Sequence, residues 1–114
     1  MILNKSAILS ADDLKKETVK VPEWGGSVCI RAMTGEERDA FEVSFSGDKK
    51  DFKNSFRARL AASCICDENG VLLFAESEIA ELAKKSAAAL DRIAARCTKI
   101  NAITKDDIED LEKN

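Results

Sequence analysis

From residue 34 onward the apolar positions recur mostly every three or four residues, the period of a helix with one buried stripe. Two stretches before that point alternate with period two instead. In residues 18–21, Val19 and Val21 share one side. In residues 28–32, Val28, Ile30 and Ala32 do the same, and both runs are rich in β-branched residues. Pro22-Glu23-Trp24-Gly25-Gly26-Ser27 lies between them and supplies the Pro and paired Gly that a reversal needs, so a β-hairpin is predicted. Ahead of it, apolar Ile2, Leu3, Ile8 and Leu9 precede Ser10-Ala11-Asp12-Asp13, in which Ser10 is expected to cap a short helical turn and Asp13 to reach back.

Thr34-Gly35-Glu36-Glu37 matches a capping box: the Thr34 hydroxyl can meet the Glu37 N–H while the Glu37 carboxylate returns to the Thr34 N–H. The helix it starts carries Phe41 and Phe45 and is expected to end near Gly47. A second helix is predicted over residues 51–64, with Phe52, Phe56 and Leu60 spaced by four on one stripe. Asp67-Glu68-Asn69-Gly70 reads as a turn, and the apolar residues 71–74 after it can form a small hairpin with residues 64–66. From Glu76 the pattern is helical to the end. Ile79, Leu82 and Ala83 make one stripe and Leu90, Ile93, Ala94, Cys97 and Ile100 another, before Thr104-Lys105-Asp106-Asp107 starts a last short helix through Ile108 and Leu111. The predicted fold class is therefore α+β, mostly α-helical: an N-terminal β-hairpin followed by a small helical bundle. Residues 1–114 are expected to form a single domain, with 1–33 as N-terminal segment and hairpin, 34–114 as the helical part, and a short hairpin near 65–74.

The 114 residues suffice for one working core without disulfide or metal staples, and the formal charge of -3 argues against a protein that coats nucleic acid. The longest apolar run, residues 71–75, is far short of a bilayer span, and Asn4, Lys5, Asp12 and Asp13 stand where a secretory leader needs apolar residues. A cytoplasmic protein with no membrane contact and four reduced cysteines is expected.

Catalytic equipment is sparse. There is no His and no Tyr, and a nucleophilic Cys needs a base that His most often provides. Of Cys29, Cys64, Cys66 and Cys97, only Cys64 and Cys66 are close in sequence, and their one-residue spacing does not suit a zinc knuckle. No cofactor, metal site or enzymatic activity is expected. Lys49, Lys50, Lys53, Arg57 and Arg59 form a basic cluster interleaved with Phe52 and Phe56, but Phe residues spaced by four belong to a buried stripe and cannot also stack on bases. Trp24, in a turn beside two glycines, has two open readings: it folds back to cap the core, or it projects as an anchor for another protein.

The segment Val21-Pro22-Glu23-Trp24-Gly25-Gly26, then Val28, Ile30 and Arg31, then Thr34-Gly35-Glu36-Glu37-Arg38-Asp39, resembles tail assembly chaperones of long-tailed bacteriophages and prophages. The likeness continues through Asp67-Glu68-Asn69-Gly70 with Leu73-Phe74, the helix over residues 90–100 and the closing Glu109-Asp110-Leu111-Glu112-Lys113-Asn114. Met33 stands where the family is expected to have Leu. The resemblance implies a non-catalytic protein that binds the tape measure protein, keeps it soluble, helps recruit tail tube protein, and is absent from the finished virion. A small helical partner can shield the apolar stripes of such a target with an amphipathic face. Trp24, Ile108 and Leu111 are the candidate partner-binding residues, the last two because a terminal two-turn helix buries little. A homo-oligomer remains open. Two other readings compete: a structural tail or head-completion protein retained in the particle, and a small nucleic-acid-associated protein using the basic helix.

Overall fold

The computed structural model describes residues 1–45 and 49–113, with the side chains of residues 1–45 and 56–112. Asn4 Oδ1 accepts the N–H of Ala7 at 2.9 Å and opens helix α1 (Lys5–Ser10). The expected start at Ser10 is thereby corrected: Ser10 ends this helix, and its hydroxyl donates back to the Ala7 carbonyl. Asn caps as well as Ser does, and the chain beyond Ser10 must extend to enter the sheet.

Strands β1 (Lys16–Val21) and β2 (Gly26–Arg31) form the predicted hairpin, with Lys16 opposite Arg31 and Val21 opposite Gly26. A 3-10 turn, Pro22–Trp24, joins them and closes with the Gly25 N–H donating to the Pro22 carbonyl at 3.0 Å. Gly25 has φ 74°, a left-handed conformation that costs glycine nothing. Helix α2 (Gly35–Val43) starts with both bonds of the predicted Thr34/Glu37 capping box. It ends at Val43; the expected stop at Gly47 lies outside the described residues.

Helix α3 (Lys49–Ala62) leads into strand β3 (Ile65–Cys66), which joins the free edge of β2 to give the order β1-β2-β3. In that pairing Cys29 faces Cys66 and Ile30 faces Ile65. Residues 71–74 meet β3 by a single bridge between Cys66 and Leu72 and by the Leu73 N–H donating to the Ile65 carbonyl. The turn between closes on the Asp67 carboxylate, which accepts the N–H groups of Asn69 and Val71.

The continuous helical pattern after Glu76 is interrupted. A 3-10 turn, Glu76–Glu78, and helix α4 (Ile79–Leu82) come first, and Ser86 then caps a new helix, α5 (Ala87–Ile100), by accepting the Ala89 N–H at 3.3 Å. Ala102, at φ 52°, turns the chain into α6 (Lys105–Lys113), whose start carries the expected Thr104/Asp107 bonds.

Val19, Val21 and Ile30 from one face of the sheet are buried with Leu60, Ile65, Leu82, Leu90, Ile93 and Cys97. Phe41 meets Phe45 edge-on at 5.0 Å, and Phe56 lies 5.7 Å from Phe45, so the end of α2 and the middle of α3 share an aromatic cluster. Phe52, expected on the same stripe, belongs to the side chains not described.

Candidate partner-binding surfaces

Arg31, at the end of β2, is 8% exposed and anchors the surfaces around it. Its guanidinium grips Glu37 with two bonds, at 2.7 and 2.8 Å, while its Nε donates to the Gly70 carbonyl at 2.6 Å and its Nη1 to the Ala32 carbonyl. The bond to Arg31 and the capping bonds from Thr34 hold the Glu37 carboxyl down at about 2. One residue thus joins the hairpin, the first turn of α2 and the turn at residue 70. In the sequence, Arg31 three residues before the Thr34/Glu37 cap is the available signal for this junction.

Asn101 is a second junction missed from the sequence. Its Oδ1 accepts the Met33 N–H at 2.7 Å, and its Nδ2 donates to the Cys97 carbonyl at 2.9 Å and to Cys64 Sγ at 3.3 Å. The Cys64 thiol is pulled below its usual range, first by the Cys97 thiol and then by Asn101, and the Cys97 thiol is pushed up by the same contact and by burial.

Trp24 folds back onto the core, as the first of its readings expects. It is half-buried and packs against the core, yet it also lines an open groove of about 530 Å³ with Glu23, Phe74, Glu81, Leu82 and Lys85. The 3-10 turn that carries it is tied to α5 by an ion pair between Glu23 and Arg92 at 2.9 Å. Ile108 and Leu111 are half-buried against the core rather than standing free, because α6 is drawn in by Ile103 beneath it and by Asp107 facing Arg38 at 3.8 Å.

The largest exposed apolar side chains lie elsewhere. Ile2 is 99% exposed, Leu9 78% and Ile8 57%, and no residue of α1 is buried. A six-residue helix with its apolar residues in solvent gains nothing from its own fold, so α1 is an arm whose apolar face is available to another molecule.

On the basic helix, Arg57 is paired with Asp91 and Arg59 with Glu76 at 2.7 Å. Both guanidiniums are thus engaged by carboxylates of neighbouring elements; the side chains of Lys49, Lys50 and Lys53 lie outside the described residues. Among the described residues no cluster of His, Cys, Asp or Glu could hold a metal ion, and no helix is long and apolar enough to cross a membrane.

The sequence pattern of the family described as phage tail assembly chaperone matches residues 3–114. The chain belongs to that family. Tail assembly chaperones interact with tail proteins, so apolar surface left outside the core is the feature to explain. The fold is similar to that of the structure titled "Structure of bacteriophage HK97 tail assembly chaperone", with a TM-score of 0.62, 19% identity, and cover of 83% of this chain and 94% of that one. No curated protein matches the sequence. Among tail assembly chaperones, then, this chain presents an exposed apolar arm, a Trp-lined groove and a tightly pinned hairpin.

Proposed function

We propose that this chain acts by binding alone, in the host cytoplasm: it holds the tape measure protein soluble during tail morphogenesis and helps recruit tail tube subunits around it. Membership of the tail assembly chaperone family over residues 3–114 carries this reading. The physical support is the apolar surface outside the core. Ile2, Leu3, Ile8 and Leu9 on the arm offer side chains that a helical partner with exposed apolar stripes can cover. Trp24 contributes the wall of a groove, and Ile108 and Leu111 contribute the parts of their side chains that the core leaves uncovered. Trp suits an anchor because a large rigid ring buries much area at little entropic cost.

Co-expression of the tagged chain with the tape measure protein tests the reading. Soluble, co-purifying tape measure is expected. A folded chain that leaves its partner insoluble would overturn it, and finding the chain in purified virions would favour a structural component instead.

A further inference from the structure

Two of the four cysteines meet across the sheet on the face opposite the buried valines. Cys29 and Cys66 are directly paired residues of β2 and β3, and the Cys66 thiol donates to Cys29 Sγ at 3.5 Å. Paired residues of antiparallel strands have Cα atoms about 4.5–5.5 Å apart, inside the range of about 4.4–6.8 Å that a disulfide spans. The remaining requirement is access. Cys29 is half-buried and opens into a groove of about 610 Å³ lined also by Thr18, Ser27, Glu68, Asn69 and Leu73, room enough for a small peptide. Cys66 lines the same groove but is only 3% exposed, and desolvation together with the bond to Cys29 raises its thiol to about 11.

We propose that Cys29 and Cys66 form a redox-active dithiol site whose co-reactant is a small-molecule disulfide such as oxidised glutathione. The Cys29 thiol loses its proton, and the thiolate attacks one sulfur of the small disulfide. That S–S bond breaks, and one thiolate leaves with the electron pair and takes up a proton. Cys66 then loses its proton and attacks the Cys29 sulfur, which breaks the mixed disulfide and releases the second small thiol. Two protein thiols are oxidised and one disulfide is reduced to two thiols, with no other oxidant required. The division of roles follows from access: Cys29 is the attacking thiol and Cys66 the resolving one. The product ties β2 to β3 and closes a loop that contains α2 and the whole of α3.

The second cysteine pair supplies an internal control. Cys64 and Cys97 also touch, but both have 0% exposure and neither lines the groove, so they stay reduced while the protein is folded.

The test treats the folded chain with oxidised glutathione and follows intact mass and linked peptides. The expected result is loss of two hydrogens, a Cys29–Cys66 linked peptide, and a Tm that is higher without reductant than with it. C66S is expected to stop at a glutathione adduct on Cys29, and C29S to stay unmodified. Should C66S fail to fold, wild-type samples quenched by alkylation at early times must carry the adduct on Cys29 before the linked form appears. Persistence of that adduct without closure in the wild type, linkage of Cys64 to Cys97 instead, or no reaction of the folded chain would overturn the proposal.

Discussion

The carboxylate of Glu37 is held by the guanidinium of Arg31 through two bonds at 2.7 and 2.8 Å while it also caps the Thr34 N–H at 2.9 Å. Its ionised form is stabilised in the fold, from an ordinary 4.5 to about 2. The stability this contributes is present above pH 4.5 and is lost as pH falls toward 2; with the carboxylate partly open to solvent it amounts to about 1–2 kcal/mol. Glu37→Gln should lower stability at neutral pH by about that amount and flatten the acid limb of the profile below pH 4.5. Chemical denaturation across pH 2–7, with the two chains compared, checks this.

Asn101→Ala should cost about 2 kcal/mol, because the nearly buried Met33 N–H loses its acceptor and the Cys97 carbonyl and Cys64 sulfur lose a donor. An unchanged midpoint in urea would contradict the junction assigned to this side chain.

Ala102 sits at φ 52°, where an L side chain is strained. Ala102→Gly should therefore raise stability, by about 0.5–1 kcal/mol, whereas Ala102→Val should lower it. Thermal melts of both variants give opposite signs if the turn is as described.

Ile8→Ser with Leu9→Ser should leave stability within about 0.5 kcal/mol of the parent, since neither side chain is buried, yet reduce the tape measure protein recovered in the soluble fraction. Trp24→Ala should differ by lowering both, because Trp24 also packs against the core. Measuring melting and co-purification on the same preparations separates the two effects.

The hairpin, the Thr34/Glu37 cap and the Thr104/Asp107 cap were legible because each depends on residues close in sequence, with alternation or a fixed spacing of three. Ser10 does not open a helix because Asn4 offers an equally good cap just ahead of Ile8 and Leu9, whereas the residues after Asp13 enter β1 rather than forming an apolar helical stripe. The pairing of β3 with β2 rather than with residues 71–74 alone was out of reach: Cys29 and Cys66 are 37 residues apart, and a two-residue strand carries no period. The same holds for the surfaces. A terminal two-turn helix is expected to bury little of Ile108 and Leu111, but the ion pair from Arg38 to Asp107 and the burial of Ile103 bring α6 onto the core. Ile8 and Leu9, expected ahead of a turn that Ser10 starts, instead belong to α1, and no residue of that six-residue helix is buried.

Among the described residues strand β1 is an outer strand of the sheet, beside β2, and it carries Lys16 and Lys20 on either side of Thr18. Were two copies to extend their sheets by pairing β1 with β1 about Thr18, each Lys16 would face the other copy's Lys20. Like charges set directly opposite on neighbouring strands repel. The outer edge of β1 is thereby guarded against runaway sheet extension by two ammonium groups.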